Sequence, residues 1–383
     1  MPPHAIAAIV IASVAAMPSN VLPVMAGLLS DFRALDEATL GLLIASGTSA
    51  GLVASLSAPH WIGRVNLRYV IGGALLVEGL GLLGLRFAPG IAWLFVAQML
   101  AGGAAIVVAS GCLTIIARLP NPARAYGIKI TGDVVIAGAF LALIPTTGWG
   151  LAGFVGVLAA VAFAAAPLAM RLPAFALIAQ NTDGIPTRAR DAPRSAWLAL
   201  LLIVVFFVGA FGAWAFLERF AVHWGIDRVT ISTAIAAGLI VGVIGSLGAA
   251  IFAGRNARTW PQAVSGIVLV VSLAMLIRID SALQFYAAVF ALNCSWNFFM
   301  PFVIAFIAGR DHTGRLPSLV PGTVMIGGIL GPVLAGAVIR SYGHMVAMTV
   351  LTTIVAVSIA GYIAIARPLR TKSPIAAATP SGS

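Results

Sequence analysis

The chain has 383 residues, of which 61 % are hydrophobic and 9 % charged, with a mean hydropathy of +1.07. A soluble domain is about 45–50 % apolar and roughly a quarter charged, so the composition excludes a water-bathed globule and requires lipid as the main solvent. The formal charge of +11 comes from residues scattered over short loops. A phosphate backbone needs a continuous basic patch, so no nucleic-acid partner is expected. Cys112 and Cys294 lie in apolar runs, and His4, His60, His223, His312 and His344 are dispersed. Neither a disulfide framework, a metal site nor a cofactor is expected from them.

A helix needs about 20 apolar residues to cross a bilayer. Twelve segments meet that length: 5–30, 38–58, 69–88, 91–117, 127–145, 149–170, 197–220, 230–254, 260–279, 282–308, 318–342 and 344–366. In the first, Pro18 and Pro23 flank Ser19 and Asn20 and loosen the helix near its midpoint. Its "SVAA" resembles a cleavage site, but no basic residues precede it and the apolar run is too long for a signal peptide. The expected organisation is a six-helix bundle over 1–170, a Pro- and Ala-rich linker over 171–196, a second bundle over 197–366, and a disordered tail over 367–383.

Twelve spans put both termini on one side. With the termini in the cytoplasm, the cytoplasmic segments hold sixteen Lys and Arg, including Arg64, Arg68, Arg118, Arg124, Lys129 and Arg171. The outer ones hold six: Arg33, Arg86, Arg219, Arg228, Arg278 and Arg340. The positive-inside rule then places both ends in the cytoplasm of a multi-pass protein of the plasma (inner) membrane.

Shifting the sequence over itself by 191 positions gives a gap-free match. Asp36 falls on Asp227, Thr39 on Thr230, Gly47 on Gly238, Gly51 on Gly242, Ser55 on Ser246, and Gly63-Arg64 on Gly254-Arg255. The expected fold is therefore all-α, with twelve transmembrane helices in two six-helix halves of like orientation. Parallel repeats of this kind are a transporter architecture, with the site near the midplane between the halves.

The loop "LSAPHWIGRVNLR" (56–68), its weaker echo "IFAGRNART", and the run "GGILGPVLAG" (327–336) resemble the major facilitator superfamily. Gly63 and Arg64 match the late Gly and basic residue of that family's G-x-x-x-D-[RK]-x-G-[RK]-[RK] loop, whereas Leu56, His60, Trp61 and Val65 depart from it. The resemblance covers nearly the whole chain. Two departures weigh against drug/proton antiport. Gln98, in "QMLAG", stands where the family's R-x-x-x-G motif has its arginine, and segment five lacks the G-x-x-x-G-P-x-x-G-G run.

Candidate site residues follow from polarity at membrane depth. A charge at a helix centre costs about 2.5–3.5 kcal/mol on insertion scales, which singles out Glu78, Asp133 and Glu218. Lys129 and Asp133, four apart, can pair. Glu218 follows Trp214 by one turn at the outer end of segment seven. These residues, with Arg64, are the candidates for proton coupling or gating.

In segment ten, "ALNCSWNFFMPFV" carries Asn293, Trp296, Asn297 and Met300 on one stripe. Hydrocarbon cannot satisfy amides. The stripe therefore faces a cavity, as the resemblance implies for the fourth helix of each half, or it bonds neighbouring helices. Asn20, Gln98 and Trp214 complete the expected substrate wall. Small-residue ladders at Gly47/Gly51/Ser55, Gly238/Gly242/Ser246 and Gly327/Gly331 are read either as an interface that rocks or as static packing.

No G-x-x-x-x-G-K-[ST] run is present. The expected function is a proton-coupled secondary transporter (permease) working by alternating access on a small molecule, as a monomer in the bilayer. The absence of arginine on the four cavity helices points to a neutral, amphiphilic or cationic compound, with efflux slightly favoured. The alternatives are a proton symporter importing a small metabolite, and a membrane-embedded receptor or enzyme.

Overall fold

A computed structural model describes residues 1–143, 147–175, 194–253, 260–308 and 315–366. Most of the expected linker, the tail, and the loop echo after Phe252 lie outside the described residues. The described chain is helical. The first half holds α1 (Pro3–Asn20), α2 (Leu22–Arg33), α3 (Glu37–Trp61), α4 (Leu67–Phe87), α5 (Ile91–Ile116), α6 (Pro122–Leu143) and α7 (Gly150–Ala165), which runs into a 3₁₀ turn, Ala166–Arg171. The second half holds α8 (Arg194–Ala215), α9 (Leu217–His223), α10 (Arg228–Ala253), α11 (Trp260–Met275), α12 (Ala282–Ala308), α13 (Arg315–Tyr342) and α14 (His344–Ala366).

Eleven of these helices are long and apolar enough to cross a membrane. The segment expected over 260–279 is the exception: its described helix, Trp260–Met275, has 16 residues. The protein is thus a multi-pass membrane protein. Large apolar side chains such as Val53, Leu80, Ile244 and Leu283 lie on the outside, where lipid leaves them no penalty.

Two expected spans are broken. The chain leaves the helix at Val21 (φ −99°, ψ 7°), between Pro18 and Pro23, and again at Phe216 (φ −105°, ψ 10°). Pro23 cannot donate a backbone hydrogen bond, which accounts for the first break; the second occurs without proline. It separates Trp214 from Glu218, which sequence spacing had placed on one continuous helix.

The repeat is written into the helix ends. α1, α3 and α5 begin at 3, 37 and 91, and α8, α10 and α12 at 194, 228 and 282. Asp36 and Asp227 cap α3 and α10 in the same way. Oδ1 accepts from the backbone N–H of Thr39 at 3.1 Å and of Thr230 at 2.9 Å, while each threonine hydroxyl donates to Oδ2. These N-caps satisfy donors that the first turn leaves free.

The small-residue ladders pack within each half. Gly47 lies against Gln98 and Gly102 of α5, Gly238 and Gly242 against Asn293 and Asn297 of α12, and Gly327 and Gly331 against Phe207, Val208 and Gly212 of α8. The halves meet elsewhere. Gly41 lies on the Pro332 carbonyl, Gly336 on that of Glu37, and Gly138 on that of Ala236. These contacts gather near the bundle end that carries 31–37 and 219–228, remote from Pro3 and Ala366. One apolar core, including Phe154, Phe216 and Phe220, crosses between the halves there, while Ile11, Ile71, Leu75 and Cys112 belong to a separate core of the first half.

Candidate functional site

A cavity of about 310 Å³ opens among α1, α2, α3, α4, α5 and α6, with Met325 of α13 as its one lining residue from the second half. Its floor and walls are small: Ala12, Ala15, Ala16, Gly102, Ala105 and Ala109. Four polar side chains reach it: Ser19, Thr48, Gln98 and Lys129. Lys129 donates to Asp133 Oδ2 at 2.5 Å, so the lysine enters the cavity as half of a neutral pair. Gln98 passes close over Gly47, where a Cβ would fall 2.8 Å from Nε2. Trp214 donates from Nε1 to the Ser19 carbonyl at 3.5 Å, reaching across from the second half.

The repeat explains why the cavity lies to one side. Shifted by 191 positions, Ala15, Ala16 and Ala105 correspond to Phe206, Phe207 and Trp296. Those three rings pack together, with Trp296 5.5 Å from Phe206 and 5.7 Å from Phe207, and Phe211 joins them at 5.8 Å. Where the first half has alanines lining a hollow, the second has aromatic rings packed against one another at the matching positions. Gln98 corresponds to Val289, and Lys129 to Val320, so the polar groups are also unique to the first half.

The segment-ten stripe therefore divides. Asn293 Nδ2 donates to Val289 O at 2.9 Å and Asn297 Nδ2 to Asn293 O at 2.9 Å, both back onto their own helix, beneath Gly238 and Gly242 of α10. Trp296 belongs to the aromatic cluster and Met300 is buried in the core. None of the four lines the 310 Å³ cavity. Of the other expected wall residues, Gln98 lines it, Trp214 touches its Ser19, and Asn20 ends α1 beside the break.

The charged candidates separate similarly. Lys129 and Asp133 stand at the cavity edge, with Asp133 Oδ1 buried and without a partner. Glu78 is 1 % exposed on α4, its Oε2 also unpartnered, and it does not line the cavity. Arg64 is exposed in the turn after α3, where Gly63 takes φ +93°, a conformation that suits glycine.

At the far end, sequence reasoning had singled out Glu218 alone as a gating candidate and missed the ion pairs around it. Arg219 pairs with Asp31 at 2.9 Å and Glu37 at 2.8 Å, Arg228 pairs with Asp31 and, at 3.3 Å, with Glu218, and Arg340 lies 3.5 Å from Asp36. Except for Arg228–Glu218, every pair joins the second half to the first. The signal was there: outer arginines in one half, and in the other acids from the last turn of α2 to the start of α3. The cavity is thus sealed at the end remote from Pro3 and Ala366.

A helical membrane protein of two like halves, with a cavity sealed at one end by ion pairs between them, is the class that the fold and the site define. Among solved structures, the chain is similar to the nucleoside transporter NupG, with TM-score 0.76 and 13 % identity over 95 % of this chain and 99 % of that one. It is also similar to a bacterial homolog of the human lysosomal transporter Spinster in an inward-facing and occupied conformation, with TM-score 0.69 and 15 % identity over 96 % of this chain and 94 % of that one. No family model and no curated protein matches the sequence. The chain shares the fold of these two solved transporter structures.

Proposed function

We propose that the protein is a secondary active transporter of the plasma (inner) membrane, with both termini cytoplasmic, that carries a small uncharged organic molecule by alternating access of its two halves. One observation carries this reading: a cavity with few polar groups, no unpaired charge, and a seal of ion pairs between the halves at one end only. A largely apolar pocket with a few convergent polar groups is the usual pattern of a small-molecule site. With the termini inside, the sealed end is the extracellular one, and the cavity serves the cytoplasmic side in this conformation.

Gln98 orients the cargo through its amide, and Ser19 and Thr48 offer hydroxyls beside it. Lys129 and Asp133 are the proton-coupling pair: a proton arriving on Asp133 frees Lys129 for the cargo, and its departure restores the ion pair. Glu78 stands outside this route. The alanine-rich lining favours export of an amphiphilic compound. The similarity to a nucleoside transporter favours a second reading, carriage of a ring-sized polar metabolite, for which the sequence alternative is proton-coupled import.

The test is a thermal-shift screen of the purified protein against neutral, cationic and anionic organic compounds. Gln98→Ala and Ala105→Phe are the two variants. A ligand at a hundred times its dissociation constant adds about 2.7 kcal/mol to stability. Both variants are expected to lose any hit, because one removes the amide and the other fills the hollow as Trp296 fills its counterpart. Trp296→Ala is expected to keep it. A hit that survives Ala105→Phe would move the site elsewhere.

A further inference from the structure

A second chamber of about 190 Å³ lies at the sealed end, apart from the cavity described above. Val24 and Leu28 line it from α2, Phe154 from α7, and Glu218, Arg228 and Ser232 from the second half. Glu218 is 2 % and Ser232 1 % exposed, yet Glu218 Oε2 and Ser232 Oγ have no hydrogen-bond partner. Buried polar atoms are nearly always paired, so two orphans on residues that line one chamber mark a place where a ligand is held. The first half also shapes it. A Cβ at Gly27 would overlap the Glu218 carboxylate where it now stands, so glycine lets α2 lie directly over that group.

The ligand's charge follows from counting. The interlinked groups are Asp31, Glu37 and Glu218 against Arg219 and Arg228, three acids against two arginines. The neighbouring Asp36–Arg340 pair is neutral. One negative charge is left over. Glu218 Oε1 and Asp31 share Arg228, which leaves Oε2, packed under Gly27 beside the chamber, without a partner. A divalent ion would ask for more carboxylates than this.

We infer that this chamber binds one small monovalent cation, held by Glu218 Oε2 and Ser232 Oγ with water completing its shell. The cation is either an alkali metal ion or a proton on Glu218; both neutralise the same excess charge. Because Gly27, Val24 and Leu28 come from one half and Glu218, Arg228 and Ser232 from the other, the site exists only while this end is closed. Occupancy therefore favours the closed state. The inference goes beyond the transport reading, and its test uses no cargo, so either can fail without the other.

The experiment is thermal unfolding of the purified full-length protein with choline chloride replaced by LiCl, NaCl or KCl at constant ionic strength, at pH values from about 5.5 to 8.5. Wild type, Glu218→Gln and Ser232→Ala are compared. Wild type is expected to gain several degrees, saturably, with one alkali ion or with acid. Glu218→Gln is expected to lose that response and to match the occupied wild type without ligand. Ser232→Ala, which leaves every charge in place, weakens an alkali-ion response and spares a proton response. An alkali effect names the metal ion, and an acid effect alone names the proton. Indifference of wild type to both would leave a water-filled chamber and overturn the inference, as would a response that persists in Glu218→Gln.

Discussion

At the scale of single residues, Lys129 and Asp133 give the sharpest expectation. Their side chains are 17 % and 13 % exposed and 2.5 Å apart. Removing one partner of a buried ion pair costs about 3–5 kcal/mol because the other charge is stranded, whereas removing both can be nearly neutral. Lys129→Met is therefore expected to lower thermal stability more than the double change Lys129→Met/Asp133→Asn, and a melting comparison of the two reads this directly. A double variant weaker than the single one would mean that each side chain has independent partners.

This pair was legible in the sequence because spacing of four fixes a shared helix face. The asparagines of α12 were not. An amide in a greasy helix must be satisfied, but sequence does not say by what. Here Asn293 and Asn297 turn back onto carbonyls one turn earlier, an answer that costs no cavity. Gln98 was found by its departure from a motif. Thr48, Met325 and the alanine floor were not, since small and apolar residues in such a composition carry no mark of their own.

At the scale of elements, the paired caps make a symmetric prediction. Hydrogen bonds from Thr39 hold the Asp36 carboxyl below its ordinary range, and those from Thr230 do the same for Asp227. A depressed carboxylate contributes stability above its unfolded-state value of 3.8 that is lost as pH falls through the folded-state value. Asp36→Ala and Asp227→Ala are each expected to cost about 1 kcal/mol near neutral pH, and the deficit should close in acid below that range. Denaturation at pH 7 and at pH 3 measures both.

The ion pairs of the sealed end predict a shift in conformation. Arg219, 20 % exposed, joins two acids of the other half, while Arg340 and Asp36 are largely in solvent and so contribute little. A cysteine at Thr48, in a background with Cys112 and Cys294 replaced by serine, reports access to the cavity. Arg219→Gln should raise its labelling from the far side several-fold, up to about tenfold for a loss near 1.4 kcal/mol, and Arg340→Gln should change it far less. Equal effects would mean that the seal rests on helix packing at Gly41 and Gly336. The arginines and acids were all visible in the sequence. Which of them meet was not, because their pairing depends on how two halves of independent register come together.

At the scale of the whole molecule, the fold was readable for one reason: the duplication preserved its length. Helix starts 191 positions apart need no structure to be noticed. The breaks at Val21 and Phe216 were half readable, since only the first has prolines to announce it. What the repeat concealed was its own asymmetry, the exchange of Ala15, Ala16 and Ala105 for Phe206, Phe207 and Trp296.

That exchange has a bearing on how such a protein can change over generations. If all the room for cargo belongs to the first copy, a new preference needs substitutions in that copy alone, and each enlargement or filling there is met by soft neighbours. The second copy, with rings packed at the matching positions, tolerates less there. The two halves, equal at the moment of duplication, would then keep different clocks: one free to follow whatever the cell next needs moved, the other held still as the fulcrum against which it turns.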